Sequence, residues 1–241
     1  MKKYFLTSHR LFFTILIVLS GASCATDSNS GSTGQPPAEV NSTPADVPEK
    51  AAAKTDTKTI IFFGNSLSAG YGLDPAQGFV GLIEKRIDSL NLNYKVINAG
   101  NSGETTSGGK ERVAWILENY QPDIFVLELG GNDALRGLPV TDAEANLQSI
   151  IDAVKNKYPT AKILLAGMMA PPNMGNEYTT KFAAMYPRLA KKNKAALIPF
   201  LLDKVGGQPG LNLPDGIHPN VEGHQIVTET IWKELEGLLV E

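Results

Sequence analysis

The sequence has almost no cysteine, the residue that forms disulfides and cysteine-rich metal sites. Cys24 is the single cysteine among 241 residues, so neither an internal disulfide nor a cysteine-rich metal site can form. The charges are nearly balanced, with 22 basic and 25 acidic residues and no basic stripe, which predicts no nucleic-acid partner. The phosphate loop G-x-x-x-x-G-K-[ST] and the fingerprint G-x-G-x-x-G are both absent, so nothing favours nucleotide binding.

The N-terminal residues predict export from the cytoplasm. Three basic residues precede the apolar run 11–19, and small residues follow it, which is the order of parts in a secretory signal peptide. The run is too short to span a bilayer as a helix. Its end, LSGASC, resembles a bacterial lipobox, with Gly21 where leucine is usual. We expect a signal peptide over 1–24 and lipidation of Cys24, which would hold the protein in the periplasm or cell envelope; ordinary cleavage after Ala25 is the alternative.

Residues 25–57 have the composition of a tether. They are rich in Ser, Thr, Pro, Ala and Gly and contain almost no large apolar side chain, so burial cannot offset the entropy lost on ordering. Residues 58–241 have enough apolar side chains for a core and the length of one ordinary domain. We therefore predict one folded domain, 58–241, that follows a disordered tether.

Strand and helix patterns alternate along this domain. Short runs of β-branched and aromatic residues predict strands, and longer segments with helical periodicity separate them. The predicted strands are 59–63, 94–98, 123–129, 162–168 and 196–200, and the predicted helices are 79–90, 108–119, 142–157, 177–192 and 221–239. Five strands interleaved with five helices indicate an α/β fold around a doubly wound, five-stranded parallel sheet.

Four polar, glycine-rich segments follow these strands or precede the last helix. They are GNSLSAGYG from Gly64, NAGNSGETT from Asn98, GGND from Gly130 and DGIHPN from Asp215. Each also has an ordinary interpretation as a turn or a helix cap. Ligands of doubly wound sheets bind beyond the carboxyl ends of the strands, where all four segments are predicted to lie.

Ser66 and His218 are the candidate nucleophile and base. A serine hydroxyl attacks poorly unless a base takes its proton, and the base works best when a third group fixes its tautomer. Asp215 precedes His218 by three residues across a glycine-containing turn, so its carboxylate can reach one ring nitrogen. His9 belongs to the predicted signal peptide. His224 lies inside the last predicted helix without a carboxylate at such a spacing, and we expect it to be a solvated residue on the helix face.

The four blocks, in this order, resemble those of the SGNH, or GDSL, hydrolases. The first block is not the G-x-S-x-G elbow of α/β-hydrolases, because Ser68 stands at the position of the second glycine. The later run NMGNEYTTKFAAMYPRLAKKNKAALIPFLL is similar to the branch that contains acyl-CoA thioesterase I, lysophospholipase L1 and arylesterases. The resemblance covers nearly all of residues 59–240 and implies a flavodoxin-like, three-layer α/β/α fold.

The resemblance also implies a catalytic triad and an oxyanion hole. The triad residues are Ser66, Asp215 and His218, and the oxyanion donors are the Ser66 N–H, Gly100 and Asn132. Ser66 is expected to begin a helix, and no metal or other cofactor is implied. One residue departs from the family: the usual block reads Gly-Asp-Ser, whereas Asn65 precedes the serine here. This change is expected to alter local hydrogen bonding and charge without removing a triad member.

The sequence thus predicts an exported serine esterase that hydrolyses acyl esters or thioesters through an acyl-enzyme. We expect small acyl esters or lysophospholipids as substrates and contact with the membrane through the lipid anchor. The apolar residues that are candidates for an acyl channel are Leu67, Leu135, Leu138, Met168, Met169 and Met174, although plain packing explains each one alone. Two alternatives stay open: a carbohydrate O-acetylesterase with a short acyl site, and a non-catalytic surface lipoprotein that binds lipid or glycan.

Overall fold

The structure, a computed structural model, describes residues 57–239. The predicted signal peptide, the lipidation site Cys24 and nearly all of the predicted tether lie outside the described residues. The five strands are β1 Lys58–Gly64, β2 Tyr94–Gly100, β3 Ile124–Glu128, β4 Lys162–Ala166 and β5 Ala196–Ile198. The seven helices of the described part are α1 Ser66–Ala69, α2 Phe79–Ser89, α3 Thr106–Asn119, α4 Gly131–Leu135, α5 Val140–Lys157, α6 Asn176–Asn193 and α7 Val221–Leu235.

The five strands form one parallel sheet in the order β2-β1-β3-β4-β5. This is the flavodoxin-like order predicted by the resemblance. β1 lies between β2 and β3, and its four apolar residues, 60–63, are fully buried. Burying each such side chain contributes about 1.5–3 kcal/mol relative to leaving it exposed. β2 lies on one side of β1, and β3 lies on the other side. This reversal of strand order leaves a crevice at the carboxyl end of β1.

The long helices cover both faces of the sheet. α2 packs against α7 on one face, and α5 packs against α3 and α6 on the other. Each of these helices buries an apolar stripe, for example Leu147, Ile150, Ile151 and Val154 in α5. The result is the three-layer α/β/α architecture that the sequence predicts. Among the described residues, no helix is both long and apolar enough to cross a membrane.

The element boundaries differ from the predicted ones by a few residues. The last helix ends at Leu235 rather than at 239, and a turn of 3₁₀-helix, Glu236–Leu238, follows it. β4 and β5 each end two residues before their predicted ends. The one-turn helices α1 and α4 were not among the five helices predicted from periodicity, because a single turn is too short to show an apolar periodicity. For α1, only a helix start at Ser66 was expected.

Candidate active site

Ser66 lies at the carboxyl end of β1, in the crevice where the strand order reverses. It is the first residue of α1, as predicted. Asn65 caps this helix, because its side-chain Oδ1 accepts the Leu67 N–H at 3.0 Å. At the other end Gly70 adopts the left-handed conformation, and the Tyr71 N–H donates to the Ser66 carbonyl at 3.0 Å. The caps thus hold a one-turn helix that presents Ser66 at the edge of the sheet.

Ser66, His218 and Asp215 form one hydrogen-bonded chain. Ser66 Oγ lies 2.8 Å from His218 Nε2, and His218 Nδ1 lies 2.7 Å from Asp215 Oδ2. The other carboxylate oxygen of Asp215 accepts the backbone N–H groups of Ile217 and His218, at 2.9 and 3.0 Å. The Tyr71 ring lies beside the imidazole, with 4.5 Å between the ring centroids. The fold therefore joins Ser66 to a histidine 152 positions away in the sequence.

The hydrogen bonds of Asp215 determine the tautomer of His218. The backbone N–H of His218 is the largest of the effects that lower the pKa of Asp215 to about 2, followed by the Ile217 N–H and the imidazole. The Asp215 carboxylate is therefore ionised near neutral pH and acts only as an acceptor. In the neutral imidazole, Nδ1 then carries the hydrogen, and the lone pair of Nε2 faces Ser66 Oγ. This is the tautomer that can take a proton from a serine.

Two hydrogen-bond donors needed for an oxyanion hole are present at Ser66. The N–H of Ser66 itself has no acceptor among the described residues. Asn132, in α4, lines the same pocket as Ser66 and donates one Nδ2 hydrogen to the Glu104 carbonyl at 3.0 Å. An amide NH₂ carries two hydrogens, so the second hydrogen of Asn132 stays available for a substrate oxygen.

Gly100, the third predicted donor, has a different role in the structure. Its single N–H donates to Asn98 Oδ1 at 2.9 Å and is therefore not available to an oxyanion. A Cβ at Gly100 would lie 2.3 Å from a backbone nitrogen of α1, so the glycine allows β2 to pack closely behind the nucleophile. The prediction for Gly100 is corrected accordingly. Gly103, in the same loop, has an N–H without an acceptor among the described residues and precedes Glu104, which contacts Asn132.

An apolar cavity of about 270 Å³ opens beside Ser66 and His218. Its apolar wall residues are Leu67, Leu135, Met168, Met169, Pro171, Leu202 and Ile217. Leu138 and Met174, which the sequence also suggests for an acyl channel, do not line this cavity; Met174 lines a separate groove. Within residues 57–239, no group of three or more His, Cys, Asp or Glu side chains is placed to hold a metal ion.

Glu128 is a residue of the site that the sequence analysis missed. It ends β3 with only 1% of its surface exposed, and its carboxylate accepts hydrogen bonds from Asn65 and Ser68, on either side of Ser66. Desolvation by burial raises the pKa of Glu128 to about 7, although these hydrogen bonds act in the opposite direction. The sequence contains a signal for it, because one acidic residue interrupts the apolar run IFVLEL of a buried strand.

The prediction that His224 is solvated is wrong. Only 1% of its surface is exposed, and its Nδ1 accepts the Phe79 N–H at 3.1 Å across the contact between α7 and α2. The two rings stack with 5.8 Å between their centroids. Burial, with a smaller contribution from the charge of His218, lowers the pKa of His224 to about 4. His224 is therefore a neutral core residue that satisfies the first free N–H of α2.

Comparison with known proteins places this geometry in a family. The sequence profile of the GDSL-like lipase/acylhydrolase family matches residues 62–226. The chain is 40% identical over 191 residues to Esterase TesA of Pseudomonas aeruginosa, which covers 79% of this chain and 92% of that protein. It is 35% identical over 188 residues to the thioesterase 1/protease 1/lysophospholipase L1 of Escherichia coli K12, with 78% and 87% covered.

A solved structure shows the same fold. The psychrotrophic esterase EstA from Pseudoalteromonas sp., in a form inhibited by monoethylphosphonate, matches with a TM-score of 0.71 at 31% sequence identity. The match covers 76% of this chain and 98% of the EstA chain. The profile spans more than half of the chain, and relatives above 30% identity cover over three quarters of it. The chain therefore belongs to the GDSL-like lipase/acylhydrolase family.

Proposed function

We propose that this protein is a serine esterase that hydrolyses acyl esters or thioesters through an acyl-enzyme on Ser66. One observation carries the proposal: the hydrogen-bonded chain from Ser66 through His218 to Asp215 opens directly onto an apolar cavity. A nucleophile, a base in the correct tautomer and an orienting carboxylate are the parts that acyl transfer needs. The names of the relatives, an esterase and a thioesterase/lysophospholipase, support the same class.

The first half of the reaction forms the acyl-enzyme. His218 Nε2 takes the hydroxyl proton as Ser66 Oγ attacks the acyl carbonyl carbon. The Ser66 N–H, the free Nδ2 hydrogen of Asn132 and the Gly103 N–H donate to the resulting oxyanion. Asp215 stabilises the imidazolium by accepting the hydrogen of Nδ1. The imidazolium then gives its proton to the leaving alcohol or thiol, and the acyl group stays on Ser66.

The second half releases the acid. A water molecule attacks the acyl carbonyl and transfers a proton to His218 Nε2, and the same donors hold the second oxyanion. When the tetrahedral intermediate collapses, the proton returns to Ser66 Oγ and the carboxylic acid leaves. Each proton taken by His218 is thus returned within the cycle, and this chain of residues needs no outside acid or base.

The cavity favours an acyl chain longer than acetyl. Its walls are leucine, isoleucine, methionine and proline side chains, which gain free energy by burying methylene groups at about 0.8 kcal/mol each. A carbohydrate O-acetylesterase would present little more than a methyl group to these walls. We therefore propose fatty esters, including lysophospholipids, as the substrate class.

The test compares Ser66→Ala with Ser149→Ala on p-nitrophenyl esters of increasing chain length. Ser149 serves as the control because its exposed hydroxyl donates only to the Ala145 carbonyl within α5. Ser66→Ala should lose at least about 10³-fold in kcat, since the triad acts as a unit. The wild type should also prefer chains longer than acetyl. Hydrolysis of acetylated glycans alone would favour the O-acetylesterase, and the absence of any turnover would favour a binding lipoprotein.

We also propose that the protein is exported and attached to a membrane through Cys24. The support comes from the sequence of residues 1–24, which lie outside the described residues. Fractionation of wild type against Cys24→Ser, together with the mass of the mature N-terminus, tests this proposal. A wild-type protein that is soluble and begins at Thr26 would refute lipid attachment and leave the hydrolase proposal intact.

A further inference from the structure

A buried carboxylate lies directly behind the nucleophile and outside the chain from Ser66 to Asp215. Glu128 is the last residue of β3, and the parallel register pairs it with Gly64, the last residue of β1. A Cβ at Gly64 would come within 2.4 Å of Glu128 Oε2 and within 2.2 Å of Ser68 Oγ. Glycine at position 64 therefore leaves the space that the Glu128 carboxylate occupies.

Every hydrogen bond to this carboxylate comes from the turn that carries Ser66. Glu128 Oε2 accepts the Asn65 N–H at 3.1 Å, the Ser68 N–H at 3.3 Å and the Ser68 hydroxyl at 2.9 Å. Oε1 accepts Asn65 Nδ2 at 2.8 Å. Among the described residues, no lysine, arginine or histidine forms an ion pair with Glu128. The carboxylate thus binds the residues on both sides of Ser66 and little else.

Asn65 connects this carboxylate to the cap of α1. Its Oδ1 accepts the Leu67 N–H at 3.0 Å, so its Nδ2 must be the atom that faces Glu128 Oε1. Members of the SGNH, or GDSL, hydrolase family usually have aspartate at this position. An aspartate here would place two carboxylate oxygens about 2.8 Å apart, an arrangement that is stable only when the pair shares a proton. The amide of Asn65 supplies a hydrogen bond at that point without a shared proton.

We propose that Glu128 and Asn65 are positioning residues for Ser66: the Glu128 carboxyl group fixes the turn on both sides of the nucleophile, and the amide of Asn65 donates a hydrogen bond to it where an aspartate would have to share a proton. Neither side chain takes part in the proton transfers. The inference rests on the proposed function, since it concerns the direction in which Ser66 Oγ points. A misplacement of the nucleophile near 1 Å can cost about 10²-fold in rate.

The test uses the single variants Glu128→Gln and Asn65→Asp and the double variant N65D/E128Q, which exchanges the amide and the carboxyl group between the two positions. Glu128→Gln places an amide NH₂ against the donors of Asn65 and Ser68. Asn65→Asp places a second carboxyl group beside Glu128. Each should lower kcat by about 10²-fold and change KM by less than about twofold, because the turn carries Ser66 whereas most of the cavity wall belongs to other segments. The double variant N65D/E128Q restores one amide and one carboxylate in exchanged positions. It should recover at least about tenfold in kcat over either single variant.

Asp123→Asn is the matched control. Asp123 directly precedes β3 and its Oδ2 accepts the Thr59 N–H of β1 at 2.7 Å, so it joins the same two strands at the opposite end of the sheet. This variant should keep wild-type kcat. Urea unfolding of all variants confirms that the kinetic comparison is made on folded protein, and Asn65→Asp still tests the inference if Glu128→Gln does not fold.

The outcomes separate this inference from the proposed function. If a phosphonate probe does not label Ser66 in the wild type, the proposed function fails and the inference falls with it. If Ser66 is labelled but Glu128→Gln keeps kcat within twofold of wild type, the inference alone is wrong. It is also wrong if the losses of the two single variants simply multiply in N65D/E128Q, because the exchanged pair would then provide no rescue.

Discussion

His224, buried between α7 and α2, provides a prediction about stability. Burial lowers the pKa of His224 to about 4 in the folded protein, against an ordinary value of about 6.5 in the unfolded chain. Between these values the unfolded chain binds a proton that the folded protein does not, so lowering the pH favours unfolding. The stability that neutral His224 provides is fully present above about pH 6.5 and is lost progressively as the pH falls towards about 4.

The size of this effect follows from the two pKa values. At about pH 5 the unfolded histidine is almost fully protonated and the folded one is about nine-tenths neutral, which costs about 2 kcal/mol of stability relative to neutral pH. For a domain of this size, 2 kcal/mol corresponds to about 4–8 °C in Tm. His224→Gln removes the titration but keeps a side-chain oxygen able to accept the Phe79 N–H. Glu128 also titrates in this range, but both proteins contain it, so its contribution cancels in the difference between their free energies of unfolding.

Urea unfolding of wild type and His224→Gln at pH 7 and pH 5 measures the effect. The stability difference between the two proteins should shift by about 2 kcal/mol towards the variant at pH 5, while kcat of the variant at pH 7 stays within about twofold of wild type. A difference that does not change with pH would show that His224 is not held neutral by burial. A variant without activity but with wild-type stability would place His224 in the reaction instead.

Three further predictions concern the cavity and the groups around Ser66. Asn132→Ala should lower kcat by about 10²–10³-fold with little change in KM, which steady-state kinetics would show; a raised KM at unchanged kcat would assign Asn132 to ground-state binding. Asp215→Asn should lower kcat by up to about 10⁴-fold without unfolding the protein, because His218 loses the acceptor that fixes its tautomer. Met168→Trp should fill part of the cavity and reduce kcat/KM for octanoyl esters far more than for acetyl esters; equal losses for both would show that the acyl chain binds elsewhere.

The fold was predictable because its signals are local. Apolar runs such as Ile60 to Phe63 predict buried strands. Their alternation with amphipathic helices is compatible with few topologies other than a doubly wound sheet. The family and the ester-hydrolase class, predicted from four ordered blocks, are confirmed by the relatives. The pairing of Asp215 with His218 was also predictable from the sequence, because a carboxylate three residues before a histidine, across a turn, can reach one ring nitrogen.

The features that sequence reasoning missed depend on contacts between distant segments. His224 is buried because Phe79, 145 positions away, packs on it and donates a hydrogen bond to it. The environment of Glu128 is set by the turn at Asn65, 63 positions away, through the register of β1 and β3. The error at Gly100 has a more local cause: the side chain two residues earlier in the chain uses its N–H, and a block motif does not show which hydrogen bonds are already made.

The central claim, that Ser66 is the nucleophile, is tested most directly by covalent labelling. A phosphonate ester with a good leaving group reacts with an activated serine and stays attached, so peptide mass analysis identifies the residue that attacked. We predict one adduct per chain on the peptide that contains Ser66, loss of hydrolysis in proportion to labelling, and no adduct in Ser66→Ala or His218→Ala. An adduct on another residue, or full labelling that leaves ester hydrolysis intact, would contradict the account.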